Sequence, residues 1–183
     1  AGFIWIGTSD GGLNQFDRGS GKFKRFIVDQ SNSNSITSNC VQTLYEDDAQ
    51  TLWIGTRGGG LNKLDMGRTE ISLLDLHLKP TDISVYGILQ DDKKFLWLST
   101  NHGIMKAHPD TGLVNQYTTS DGLQEDFYFQ SCLKSDDGAM YFGGGDGYNV
   151  FYPDSIKNNT YIPPMVITGL SINYQPVQIG EEI

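Results

Sequence analysis

Four imperfect copies of one aromatic-and-glycine phrase predict an all-β chain of successive four-stranded antiparallel blades, a partial β-propeller. The copies are Ile4-Trp5-Ile6-Gly7-Thr8 followed by Gly11-Gly12-Leu13-Asn14, and Leu52-Trp53-Ile54-Gly55-Thr56 followed by Gly59-Gly60-Leu61-Asn62. Then come Leu96-Trp97-Leu98-Ser99-Thr100 with Gly103-Ile104-Met105, and Met140-Tyr141-Phe142-Gly143-Gly144 with Gly147-Tyr148-Asn149. The anchor aromatics are 48, 44 and 44 residues apart, inside the period of roughly 40–50 residues typical of propeller blades. Glycine is abundant, at 22 of 183 residues, which suits a fold of tight hairpins because glycine adopts positive φ without steric cost.

The second unit sets the pattern. Val41 to Glu46 alternates polar and apolar residues and leads into Asp47-Asp48. Leu52 to Thr56 is a near-continuous apolar run, as expected of a strand buried on both faces. A glycine turn, then Leu61 to Asp65 and Ile71 to Leu76, complete four strands. The third unit repeats this with Ser84 to Gln90, Phe95 to Thr100, Gly103 to Ala107 and Leu113 to Thr118. The fourth reads Phe127 to Lys134, Ala139 to Gly143 and Tyr148 to Tyr152; the first lacks its opening strand and begins at Phe3.

The repeated residues have distinct physical tasks. Trp5, Trp53, Trp97 and Tyr141 are large plates suited to filling the gap between blades. Two residues later stands a small one each time (Gly7, Gly55, Ser99, Gly143), which permits close approach of a neighbour. Paired acids at Asp47-Asp48, Asp91-Asp92 and Asp136-Asp137 recur ahead of the aromatic strand. That placement predicts hairpin turns held by aspartate's local hydrogen bonds rather than acid–base chemistry or calcium.

Composition excludes several classes of function. A net charge of −9 argues against nucleic acid or an anionic membrane as partner. Two widely spaced cysteines, Cys40 and Cys132, make no disulfide framework and read as buried thiols. His77, His102 and His108 show no metal-ligand spacing, no nucleophile-elbow serine is present, and no phosphate-cradling glycine loop occurs. No catalytic residue, metal or cofactor is expected. The chain opens at Ala1-Gly2-Phe3 already inside a strand pattern and reads as a segment of a longer protein.

The phrase Trp-Ile-Gly-Thr-x-x-Gly-Gly-Leu-Asn, followed by Phe16-Asp17 or Leu64-Asp65, resembles the two-component regulator propeller repeat. Gly21 to Phe26 and Gly112 to Tyr117 look like its outer strand. Ser35 to Val41 and Asp121-Gly122-Leu123 look like its inter-blade loops. Ile162 to Leu170 resembles the entry to the three-Y sandwich domain that commonly follows such propellers. Residues 1–160 therefore read as a partial propeller, with repeats near 3–39, 40–82, 83–126 and 127–160. Residues 161–183 read as a linker and the first strand of a truncated three-Y domain. The resemblance implies the periplasmic sensor region of a hybrid two-component histidine kinase, itself non-catalytic, recognising oligosaccharides and signalling across the membrane. Only the C-terminal part of such a parent protein reaches the membrane. An interaction scaffold without a small-molecule ligand is the second reading, and a propeller lyase or hydrolase the third.

In an up-and-down blade the turns between second and third strands share a face with the inter-blade connections. That face is expected to carry Asp10, Arg57, Asn101, His102 and Asp146, with Tyr86 and Phe127-Tyr128 near the inner rim. Sugars favour planar rings beside forked donors and acceptors, so the candidate ligand-binding residues are Arg57, Tyr86, Asn101, His102, Tyr128 and Asp146. About three and a half blades fall short of the four or more of a closed propeller. Exposed terminal sheet faces, and with them self-association as a homodimer, are expected.

Overall fold

The structure, a computed structural model, describes residues 2–65, 67, 70–125, 128–156, 171–172 and 175–176, with only the backbone at 128–129, 171–172 and 175–176. It forms four successive antiparallel sheets and no α-helix among these residues. The first sheet holds β1 (Phe3–Gly7), β2 (Leu13–Asp17) and β3 (Lys22–Phe26). The second holds β4 (Val41–Glu46), β5 (Thr51–Thr56), β6 (Leu61–Asp65) and β7 (Ile71–Leu74). The third holds β8 (Val85–Gln90), β9 (Leu96–Thr100), β10 (Gly103–Ala107) and β11 (Val114–Tyr117). The fourth holds β12 (Tyr128–Lys134), β13 (Met140–Gly144) and β14 (Tyr148–Phe151). Every strand pairs with its neighbour in sequence, the meander expected of propeller blades.

A two-residue pair, β15 (Ser171–Ile172) with β16 (Gln175–Pro176), lies in the expected three-Y segment. The rest of that segment, including Ile162 to Leu170, lies outside the described residues.

The sheets stack through a repeated pair of faces. Residues paired directly across strands share a face, so Trp53, Tyr45 and Lys63 lie together, as do Leu52, Glu46 and Leu64. The tryptophan face of one blade packs on the opposite face of the next. Trp53, Leu61 and Leu74 meet Ile88, Leu96, Leu98 and Met105. Leu13, Trp5 and Phe26 meet Ile54, Leu64 and Ile71 by the same rule. Trp97 and Ile104 likewise meet Met140 and Phe142. The core is thus three inter-blade layers rather than one centre, and strands β5 and β9, apolar along most of their length, are buried on both sides.

The small residue after each anchor is explained by what lies against it. A Cβ on Gly55 would stand 2.5 Å from Thr43 Cγ2 and 2.9 Å from the carbonyl oxygen of Val85, which opens the next blade. A Cβ on Gly7 would stand 2.5 Å from Val41 Cγ1, the equivalent valine one blade earlier. The threonine that follows closes the turn: Thr8, Thr56 and Thr100 Oγ1 donate to the carbonyls of Gly12, Gly60 and Gly103 at 2.9, 3.0 and 2.9 Å. Asn62, fully buried, accepts from Thr37 N at 3.1 Å and donates to Thr37 Oγ1 at 2.8 Å, fastening the preceding connection to its blade.

The acids ahead of the anchors do more than shape a turn. Asp47 Oδ1 accepts from Ala49 N and Thr51 N, both at 2.9 Å, while Oδ2 accepts from Trp53 Nε1 at 2.8 Å. Asp91 repeats this with Lys93 N, Phe95 N and Trp97 Nε1, each at 2.9 Å. Each carboxylate holds its hairpin and the buried indole of its own blade together. In the fourth blade the register is one residue later. Ser135 occupies the equivalent position, the anchor is a tyrosine without an indole, and Asp137 takes Ser135 Oγ and Tyr152 OH instead.

Candidate ligand-binding face

The turns and connections do converge on one face. Arg57 N donates to Cys40 O at 2.9 Å, Ser38 Oγ to Arg57 O at 2.8 Å, and Gly58 N to Ser84 Oγ at 3.0 Å. The turn after β5 is therefore sewn to the connections on both sides of its blade.

The six residues singled out from sequence fare differently there. Arg57 is exposed, and its guanidinium makes no hydrogen bond or ion pair among the described residues. Asn101 is a fastening residue: Oδ1 accepts from Ser84 N at 2.7 Å and Nδ2 donates to Asp82 O at 2.9 Å. His102 Nε2 lies 3.1 Å from the same Asp82 carbonyl. Asp146 is exposed one blade on, where its N–H and that of Gly145 point at Glu125 Oε1. That pair of backbone donors, an anion cradle in form, is filled by the chain's own carboxylate. Tyr86 is half-buried on β8, and Tyr128 opens β12 with its side chain outside the described residues. The structure brings Arg57, Asn101 and His102 around residues 82–84 and leaves Asp146 apart.

Two hollows matter for binding, and none of the six lines either. The first, about 330 Å³, lies on the loop face between the connections before and after the second blade. Asp29, Asn32, Ser35 and Thr37 line one side, Thr81 and Pro80 the other, and Gly58-Gly59 the floor beside Arg57. Its walls are set by local capping. Asp29 Oδ1 accepts from Ser31 N and Oγ at 2.9 and 2.6 Å, which holds the Asp29 carboxyl below the usual carboxylate range. The second hollow, about 560 Å³, lies on the opposite face between the second and third blades. Asp47, Asp48, Lys63, Asp65, Lys94 and Asp110 line it. Lys94 pairs with Asp48 across it, and this contact lowers the Asp48 carboxyl and raises the Lys94 amine.

Sequence reasoning placed the long connections on the loop face but ranked turn residues above them. The serine, threonine and asparagine run at 31–38 was the signal for the groove. The opposite cleft had a weaker one, the lysine pair Lys93-Lys94 beside recurring acids.

The meander of three- and four-stranded sheets, with its connections gathered on one face, is the architecture of successive propeller blades. A family model described as the two component regulator propeller matches residues 35–58. Histidine kinase P4 of Formosa agariphila is 31% identical over 183 residues, covering 97% of this chain and 13% of that protein. The extracellular domain of BT3049, described as a hybrid two component system of B. thetaiotaomicron, superposes with a TM-score of 0.67 at 26% identity. That match covers 87% of this chain and 21% of the other. The computationally designed Ika4 protein shares the fold, with a TM-score of 0.58 at 18% identity over 83% of this chain and 86% of its own. The chain carries a match to the two-component regulator propeller at residues 35–58, and it spans about an eighth of the curated relative it matches. Among the described residues no helix is long and apolar enough to cross a membrane.

Proposed function

We propose that this chain is a ligand-sensing part of the periplasmic region of a hybrid two-component histidine kinase, that it recognises an oligosaccharide on its loop face, and that occupancy is signalled across the membrane. The supporting observation is the loop-face groove. It presents hydroxyl, amide and carboxylate groups on two fastened connections, with the Arg57 guanidinium, unpaired among the described residues, beside it. Polyhydroxylated ligands need such forked donors and acceptors on a preformed surface.

Signalling requires that the ligand favour one arrangement of the receptor over another, since tight binding alone shifts nothing. The terminal blade faces supply elements that can be rearranged. Ile4, Ile6 and Phe23 stand exposed on the first blade, and Leu133, Tyr148 and Val150 on the last. The first set lies on the face that receives a tryptophan face in every internal layer, and the second set on a tyrosine-anchored equivalent of the donating face. We therefore read the two ends as complementary, and self-association as head-to-tail stacking of blades. Residues 1–160 form the propeller portion in this reading, and 161–183 the entry to a three-Y sandwich domain.

Calorimetry of the chain against a panel of plant and host oligosaccharides tests the proposal. One class is expected to bind saturably, with Arg57→Ala weakening it by about tenfold, the loss of a charge-assisted hydrogen bond. Absence of binding across the panel, together with capture of a protein partner on the same face, favours a scaffold instead.

A further inference from the structure

The hollow on the face opposite the loops lies between the second and third blades, each with all four strands present. Its counterpart between the third and fourth blades holds only about 100 Å³ against about 560 Å³. Blade register accounts for the difference. Gln90 pairs with Leu96 and Lys134 with Met140, each the residue before its anchor aromatic, so the two positions correspond. Lys134 fills the smaller hollow, its Nζ donating to Asp92 Oδ1 at 2.7 Å and to Gln90 O at 3.2 Å. Ala49 and Lys93 also correspond, each giving its N–H to the aspartate two residues earlier. So do Asp110 and Asp154, three residues beyond Ala107 and Phe151, which pair with Leu96 and Met140. Lys93 Nζ meets Asp154 Oδ1 at 2.6 Å. In the larger hollow Asp110 has Ala49 where Asp154 has that ammonium, and its carboxylate meets no cation among the described residues. Lys94 reaches Asp48 and so replaces Lys134, but among the described residues nothing replaces Lys93.

A second observation marks the same hollow. Gln90 lines it and is only 8% exposed. Among the described residues its Oε1 accepts no hydrogen bond, and its Nε2 reaches Lys94 O only at 3.5 Å. A buried amide oxygen left without a donor is costly. We propose that this hollow binds a small organic ligand through a primary ammonium group, which takes the place of the Lys93 side chain, pairing with Asp110 and donating to Gln90 Oε1. Four carboxylates against two ammonium groups, Lys63 and Lys94, keep the hollow net negative, which favours a cation. A charge-assisted bond to a carboxylate is stronger than one between neutral groups. Trp53 and Pro109 give the carbon body of the ligand an apolar wall, and the volume is that of a small-molecule site. Among the described residues no three acids, cysteines or histidines are grouped to hold a metal ion, so an organic cation fits better than a bare one. Amino sugars and aliphatic amines share this chemistry. The site is separate from the loop face and does not rest on the oligosaccharide reading.

The test is calorimetric titration of the whole chain with glucosamine and with putrescine, against N-acetylglucosamine and butanediol as their uncharged counterparts. At least one amine is expected to bind saturably in the millimolar range or tighter, and neither uncharged counterpart to bind. Binding of glucosamine alone identifies an amino sugar, and of putrescine alone an alkyl amine. The indole N–H resonance of Trp53, bonded to Asp47 on the wall of the hollow, should move with the same saturation. Asp110→Asn should weaken binding about tenfold or more, the usual cost of removing a charged acceptor. Asp136→Asn, which removes the same charge from an exposed acid of the fourth blade, should leave binding unchanged. Ala49→Lys supplies the ammonium that Lys93 gives in the next blade, and should abolish binding without lowering the thermal midpoint, because Ala49 is exposed. Failure of both amines to saturate in the millimolar range overturns the proposal. So does equal binding of an amine and its uncharged counterpart, or unchanged binding in an Asp110→Asn variant that matches the parent by circular dichroism.

Discussion

Asp91→Ala removes the carboxylate that joins a hairpin to a buried indole. Asp91 is 5% exposed and Trp97 is 1% exposed, so water cannot reach the freed Nε1 from the side that the carboxylate occupied. An orphaned buried donor costs about 1–3 kcal/mol, and each of the two hairpin N–H bonds, at Lys93 and Phe95, adds roughly 0.5 kcal/mol because water replaces part of them. The total is near 3 kcal/mol, which for a chain of this size lowers the thermal midpoint by about 6–12 °C. Asp91→Asn separates the parts. It retains an oxygen for the hairpin, but its amide faces Trp97 Nε1 donor to donor, so it should lose nearly as much as alanine. Asp92→Ala breaks only the exposed pair with Lys134 and should stay within about 1–2 °C of the parent. The assay is thermal unfolding followed by near-ultraviolet circular dichroism, which reports the indole environment directly. If Asp91→Ala melts within a degree or two of Asp92→Ala, the clamp is a turn ornament and the reasoning about the anchor fails.

Three further outcomes follow from named contacts. Gly55→Ala should destabilise by about 1–3 kcal/mol through overpacking against Thr43 and Val85, whereas Gly2→Ala, with nothing within 4 Å, should be silent; chemical denaturation of both variants makes the comparison. Acid should weaken the fold modestly in a defined window. Ser20 holds the Asp17 carboxyl low, Lys94 that of Asp48, Lys134 that of Asp92, and Ser135 that of Asp137. Carboxyls depressed in the fold stabilise above their unfolded value near 3.9, and that stability is lost as pH falls through the lower folded values. Calorimetric midpoints should accordingly hold level between about pH 7 and 5 and drop below about pH 4; a midpoint that is flat down to pH 2.5 contradicts this. Leu133→Glu places a charge on the exposed face of the last blade and should reduce self-association seen by sedimentation without lowering the melting temperature, because Leu133 is 62% exposed.

The blade order was legible because the anchors carry it. Trp53 and Trp97 occupy equivalent strands, β5 and β9, and the apolar runs around them have the burial that their composition implies. Strand ends were less legible. Expected strands at Ile71 to Leu76 and Tyr148 to Tyr152 stop at Leu74 and Phe151, the latter because Pro153 starts a short 3-10 turn. The role of the acids was half visible. Their recurrence ahead of the anchor strand pointed to turns, but the bonds from Trp53 and Trp97 Nε1 link residues six apart through side chains, which no local propensity reports. The site was the least legible. Asn101 looks like a sugar ligand in one dimension, yet its amide is committed to Ser84 and Asp82, a pairing set by how two loops meet in space. Arg57 looks the same in one dimension and remains available, so residue type alone could not separate them.

Hydrogen–deuterium exchange of the chain, with and without an oligosaccharide that binds it, bears most directly on the central claim that sensing occurs on the loop face. Protection is predicted at residues 28–37, 57–59 and 80–81, the walls and floor of the groove beside Arg57. Protection confined to residues 47–51, 90–94 and 109–110 would place the ligand in the opposite cleft and contradict the account.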